Sequence, residues 1–112
     1  MTISRGDVWF AHLGQTRGRE QSGSRPVVVI SDSSFNNSGA GLAVIVPLTT
    51  RSRGVRTHLP VEPPEGGLKH RGFIMCEQVR SVDLTRFARR FGRVSESTLA
   101  EIQMLLSAIL DF

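Results

Sequence analysis

Arg25 stands directly before Pro26, at the head of the run Val27-Val28-Val29-Ile30. A residue before proline is biased to extended backbone, so this guanidinium opens a strand. Its planar fork can grip a phosphate at two points. Thr49 closes a second strand-like run, Val44-Ile45-Val46-Pro47-Leu48, where its hydroxyl can reach a non-bridging phosphate oxygen. By residue type alone, Arg25 is equally a surface charge at a strand start, and Thr49 an ordinary strand former. Glu20, with Arg19 and Gln21, lies in the glycine-rich stretch Gly14–Ser24, a polar loop of the kind that closes over ligands. Arg51, Arg53 and Arg56 crowd the stretch Thr50–Arg56, which suits a phosphate backbone. Glu77 and Gln78 follow Phe73-Ile74-Met75-Cys76. A carboxylate accepts from exocyclic base amines and an amide pairs with adenine edges. A solvent-facing polar pair at a strand end is the plainer alternative.

Other chemistries find less support. His12, His58 and His70 are widely scattered, and no Cys/His/Asp group has metal-ligand spacing, so neither a metal nor a cofactor is expected. Two of these histidines would suit a ribonuclease acid/base pair, but their scatter ranks that below the Arg25/Thr49 pairing. Cys76, inside an apolar run, reads as a small buried hydrophobe and not a nucleophile. Arg80 and Asp83 are expected to pair with each other locally.

The 112 residues fit one domain, residues 1–112, with a net charge of +4. Thirteen of the fourteen basic side chains are arginine. Residues 1–56 hold seven arginines against three acids, and residues 57–112 hold seven basic against seven acidic groups. The excess in the first half points to a positive face for a polyanion, with a general basic surface as the alternative. No apolar run is long enough to span a bilayer, no signal-like stretch opens the chain, and the lone cysteine suits a reducing compartment. The expected location is the cytoplasm, away from membranes.

The elements that must position these residues are mostly strands. Val8 to Leu13, Arg25 to Ser31, Leu42 to Thr49, Thr57 to Val61, Gly72 to Val79 and Phe91 to Val94 read as strands. Pro47 argues for an edge or a bulge near the end of the third. Of Trp9 and Phe10, on opposite faces of the first strand, one should be core and the other a partner surface. Leu99, Ile102, Leu106 and Ile109 then recur at helical spacing, with Ser95 as cap, giving a helix from Glu96 to Leu110. Short strands with one amphipathic helix make a small, mainly antiparallel barrel under a helical lid.

Four blocks sharpen this reading: Arg5-Gly6-Asp7-Val8-Trp9, Gly18-Arg19-Glu20-Gln21-Ser22-Gly23-Ser24-Arg25-Pro26-Val27, Pro47-Leu48-Thr49, and Glu77-Gln78-Val79-Arg80-Ser81-Val82-Asp83. In order and spacing they resemble the MazF/PemK/Kid toxin family over essentially the whole chain. The resemblance implies a mainly β fold with one helix, an SH3-like barrel of about five to seven antiparallel strands, as in MazF, Kid and CcdB. It implies a homodimer that cleaves single-stranded RNA without metal and leaves a 2′,3′-cyclic phosphate. It also implies a toxin held in check by a MazE-like antitoxin with an acidic C-terminal segment. Matched by position, the catalytic residues are Arg25, Thr49 and Glu20. The RNA-binding residues are Arg19, Gln21, Arg51, Arg53, Arg56, Glu77 and Gln78. One branch of the family places a histidine before the loop glutamate and an arginine two residues before the later acid. Arg19 and Met75 stand there instead, so that branch's acid/base roles do not transfer. A CcdB-like gyrase poison lacks the Arg-Pro-Val and Thr pair; a non-catalytic RNA-binding barrel needs no Thr49.

Overall fold

The computed structural model describes residues 2–112. Alternating apolar residues build a two-faced sheet. β1 (Asp7–His12), β2 (Ser24–Val29), β3 (Leu42–Thr49), β4 (His58–Val61), β5 (Gly72–Met75), β6 (Arg80–Asp83) and β7 (Phe87–Arg93) pair antiparallel throughout. The order is β4-β5-β3-β2-β1-β7, with β6 also on β3. Because side chains alternate along a strand, Trp9, Ala11, Val27, Val29, Ala43 and Ile45 meet Val82 and Phe87 on one face. Val8, Val28, Val46, Leu48 and Ile74 meet Leu99 and Ile102 on the other. A one-turn helix, α1 (Ser33–Asn36), links β2 to β3. The C-terminal helix α2 (Glu96–Leu110) lies on the second core.

Seven antiparallel strands with one C-terminal helix match the expected architecture. The ladder does not close between β4 and β7. A 3-10 turn, Glu65–Gly67, seals that side, and Gly67 sits so tightly on β7 that a Cβ there would lie 2.0 Å from the Phe91 carbonyl oxygen. Glu65 extends the seal to α2, accepting from the Ser95 N–H at 2.9 Å and the Thr98 hydroxyl at 2.5 Å.

α2 has the expected bounds, and the Ser95 hydroxyl accepts from the Thr98 N–H at 3.1 Å as a cap should. Residues 72–79 do not form one strand. β5 ends at Met75, a 3-10 turn spans Cys76–Gln78, and β6 begins at Arg80. The Cys76 N–H still follows the β4 register to the Thr57 carbonyl at 3.1 Å, and the chain leaves the ladder where the Val79 N–H folds back to the Cys76 carbonyl at 3.3 Å. β7 starts at Phe87, four residues before the expected Phe91, because Phe87, Arg89 and Arg90, like Gly92 and Arg93, pair along β1. Pro47 sits within β3 and pairs with Val27. The Val44 carbonyl faces β2, accepting from Ile30 at 2.9 Å, so by alternation the nitrogen of Pro47 faces the other way. There β3 changes partner from β6 (through Ile45) to β5 (from Leu48), and no N–H is needed.

The Arg5-Gly6-Asp7 turn is structural. Gly6, at φ +93°, donates its N–H to the Val29 carbonyl at 2.7 Å. The buried Asp7 carboxylate accepts from the Ser4 N–H at 2.9 Å, the Trp9 indole at 3.3 Å and Arg90 Nε at 3.2 Å. Trp9 is core, edge-on to Phe87, whereas Phe10 is half-buried and stacks on Phe91.

Candidate active site

The β2–β3 register pairs Val27 with Pro47 and Val29 with Ile45. Continued two residues past Val27, it sets Arg25 opposite Thr49 at the open end of the sheet. Arg25 does not dangle there. Its Nε donates to the Ser22 carbonyl at 3.0 Å and its Nη1 to the Leu48 carbonyl at 3.2 Å. Two carbonyls therefore orient the guanidinium and leave its remaining N–H groups free to meet an anion. Burial, and then the charge of Arg53, lower the Arg25 pKa from its ordinary value. Thr49 is half-buried, and its hydroxyl oxygen accepts from the Arg51 N–H at 3.2 Å. The hydroxyl hydrogen stays available to donate.

Both residues line a cleft of about 720 Å³, within the usual range for a ligand site. Gln21, Arg51 and Arg53 share its near wall, and Pro26, Leu48, Leu68 and Phe91 supply apolar surface. Its far wall was not anticipated: Lys69 and His70 reach it from the segment before β5, and Arg89 from β7, where its guanidinium lies 5.3 Å from the Phe91 ring centre. No motif marks these residues; only the docking of the Glu65–Gly67 turn on β7 brings them round.

The cleft shares Gln21 with a second hollow of about 280 Å³. Glu20, Glu77, Gln78 and Arg80 line it. Glu20 thus does not line the cleft of Arg25 and Thr49. One of its oxygens accepts from the Arg17 N–H at 3.3 Å, and the groups orienting Arg25 are the Ser22 and Leu48 carbonyls. Arg19 and Arg56 line neither hollow, although the Arg19 carbonyl accepts from Gln78 Nε2 at 3.0 Å.

The Glu77 carboxylate is engaged on both oxygens, by the Thr57 hydroxyl at 2.6 Å and His58 Nε2 at 2.8 Å. Burial raises its pKa, but these hydrogen bonds outweigh burial and hold it below the ordinary carboxylate range. The Gln78 amide is also used on both ends, with Oε1 accepting from the Gln21 N–H at 3.3 Å. Arg80 does not pair with Asp83. Asp83 accepts from the Thr85 N–H and hydroxyl, while Arg80 Nη1 is buried without a partner among the described residues. Cys76 is fully buried, and burial followed by the Glu77 charge pushes its thiol up to about 12.

Comparison with known proteins adds a family to this geometry. Residues 4–110 match the model for PemK-like, MazF-like toxins of type II toxin–antitoxin systems. The Endoribonuclease PemK of Escherichia coli is 34% identical over 110 residues, covering 96% of this chain and 82% of that protein. The crystal structure of MazF from Deinococcus radiodurans superposes with a TM-score of 0.90 at 25% identity, covering 100% of this chain and 99% of that one. A chain in the crystal structure of MazE–MazF (Form-II) from the same organism gives a TM-score of 0.82 at 25% identity, covering 100% of this chain and 98% of that one.

Proposed function

The chain belongs to the PemK-like, MazF-like family of type II toxins, and from that premise we propose that it is an endoribonuclease that cuts single-stranded RNA at the Arg25/Thr49 cleft. It acts in the cytoplasm as a homodimer and as the toxin of a toxin–antitoxin pair. The observation that carries the reading is the carbonyl-held guanidinium of Arg25 sharing a cation-rimmed cleft with the Thr49 hydroxyl.

The chemistry is attack of the RNA's own 2′-hydroxyl on the adjacent phosphorus. The products are a 2′,3′-cyclic phosphate and a 5′-hydroxyl. Arg25 holds the phosphate oxygens and stabilises the charge that builds on them, the usual largest contribution of such donors. Thr49 donates its hydroxyl hydrogen to a non-bridging oxygen. Arg25, its pKa already lowered, gives a proton to the departing 5′-oxygen. Arg51 and Arg53 hold flanking phosphates on the near wall, as Lys69 and Arg89 do on the far wall. The hollow of Glu20, Glu77, Gln78 and Arg80 takes a neighbouring base. The antitoxin is an acidic segment that folds along these cations and covers the cleft.

Purified protein should cut a single-stranded RNA, with unchanged rate in a chelator. It should fail on the same RNA with one 2′-deoxy residue at the cut site. Cleavage of the deoxy substrate would end the cyclising mechanism, and RNA binding without cleavage would leave a non-catalytic barrel.

A further inference from the structure

Among the described residues, no carboxylate lines the cleft that holds Arg25 and Thr49. Its charged lining is Arg25, Arg51, Arg53, Lys69 and Arg89, and its one other titratable side chain is His70. Cyclising cleavage, on which this inference rests, needs an acceptor for the 2′-hydroxyl proton. Guanidinium and ammonium groups keep their protons near neutrality, while imidazole is the side chain that exchanges one there. The acids nearby are turned elsewhere. Glu20 and Glu77 line the second hollow, and Glu65 is committed to Ser95 and Thr98. The other two histidines do not line the cleft: His58 Nε2 meets Glu77 at 2.8 Å, and His12 Nδ1 meets the Ser24 hydroxyl at 2.6 Å.

We infer that His70 is the proton acceptor of the reaction, a catalytic residue lining the same cleft as Arg25 and Thr49. The fold presents it from a short segment held at both ends. On one side, Gly67 packs on the Phe91 carbonyl. On the other, Gly72 enters β5 against Leu48, where a Cβ would lie 3.2 Å from Leu48 Cδ2. Phe73, the next residue, pairs with Thr49 itself. His70 is exposed and makes no hydrogen bond or ion pair within the described residues that would occupy its ring, so it can meet an incoming ribose. In the step, a ring nitrogen lone pair takes the 2′-hydroxyl proton, and the O2′–P bond forms as the P–O5′ bond breaks. The 5′-oxygen receives a proton from Arg25, which solvent restores, and the imidazolium releases its own proton to water.

The test is single-turnover cleavage of one RNA between pH 5 and 9 by the wild-type protein, His70→Ala and His70→Gln. Binding of the uncleavable 2′-deoxy RNA is measured alongside. Both variants should cut at least roughly 10²-fold more slowly, the lower end of general-base contributions. They should lose the acidic limb of the pH profile, bind the deoxy RNA within a few-fold of wild type, and His70→Ala should recover rate in imidazole buffer. A wild-type rate with the limb retained overturns the assignment. So does a loss that appears only as weaker binding of the deoxy RNA. Because His70 is exposed, either variant is expected to fold. If wild-type protein cuts no RNA, the proposed function fails first. If wild type cuts, Arg25→Ala does not and His70→Ala does, only the role of His70 fails.

Discussion

Nε2 of Gln78 donates a 3.0 Å hydrogen bond to the carbonyl oxygen of Arg19, joining positions 59 residues apart. With Oε1 accepting from the Gln21 N–H, one side chain fastens the Gly14–Gly23 loop to the turn after β5. The backbone of Gln21, which lines both hollows, is thereby held in place.

Releasing that latch should show first in the loop. Two hydrogen bonds, each contributing about 1 kcal/mol net, hold it against opening. Gln78→Ala is expected to speed trypsin cleavage after Arg17 and Arg19 by about tenfold or more, with little change in global Tm. KM for RNA should rise as Gln21 loses its place. Unchanged proteolysis would mean that the loop is held by its own contacts, chiefly Leu13 to Gly23 at 2.9 Å and Gly23 to Gly14 at 2.9 Å.

Arg25→Lys keeps the charge and discards the fork. Arg25 spends Nε on Ser22 and Nη1 on Leu48 while still presenting N–H groups to the cleft. A lysine ammonium cannot satisfy two carbonyls and a phosphate in that plane. The expected loss in kcat is roughly 10²–10³, the scale of removing one donor to a developing anion, with RNA binding largely retained. Near-wild-type turnover in a single-turnover assay would sink the clamp.

Thr49 offers a finer contrast. Its hydroxyl oxygen accepts from the Arg51 N–H, which aims the hydroxyl hydrogen elsewhere. Thr49→Ser preserves both functions and should keep activity within about tenfold. Thr49→Val preserves shape, loses the hydroxyl and should cost on the order of 10²-fold. Equal rates for the two variants would reduce Thr49 to a strand former.

How much of this was legible follows from which contacts are local. The bounds of α2 follow from the Ser95 cap and the spacing of Leu99, Ile102 and Leu106, and both are properties of neighbouring residues. The bounds of β3 follow from its own apolar run. The break after Met75 does not, because the apolar run continues through Cys76 and no glycine or proline marks the turn in which the Val79 N–H folds back to the Cys76 carbonyl. β7 is only half legible because Ala88-Arg89-Arg90 carries no apolar pattern and its strand partner, β1, is distant in sequence. The near wall of the cleft was legible because Arg25, Thr49, Arg51 and Arg53 lie in or beside recognisable blocks. Lys69, His70 and Arg89 were not, since they become neighbours only when Gly67 docks on Phe91. Glu20, matched by its position in the Gly18–Val27 block, lines the second hollow and not the cleft of Arg25 and Thr49.

Asp7 separates folding from catalysis. Its side chain is 4% exposed and accepts from Ser4, Trp9 and Arg90. Asp7→Asn removes the charge that pairs with Arg90 and puts amide hydrogens where only acceptors fit. About 2–4 kcal/mol of stability should be lost, read as a lower urea midpoint. Activity of the folded fraction should persist at low temperature. A stability change under about 0.5 kcal/mol would show that the turn is held without the carboxylate.

Cys76 and Glu77 bracket the pH range of stability from opposite ends. The folded thiol is pushed up to about 12, whereas an unfolded cysteine titrates near ~8.5. A raised acid contributes fully below the unfolded value and loses that contribution as pH rises towards the folded one. By pH ~10 the loss amounts to about 2 kcal/mol. Glu77 has a lowered pKa, so its contribution is present above the unfolded value near ~4.3 and fades as pH falls through the folded one. Urea midpoints should therefore be flat between these limits and fall on both sides. Cys76→Ala should flatten the alkaline fall although the smaller side chain lowers stability throughout, and Glu77→Gln should flatten the acid fall. In the native protein the thiol should resist an aromatic disulfide reagent at pH 8 and react on unfolding in urea. Rapid labelling of the native state would contradict the burial that carries the alkaline half of the argument.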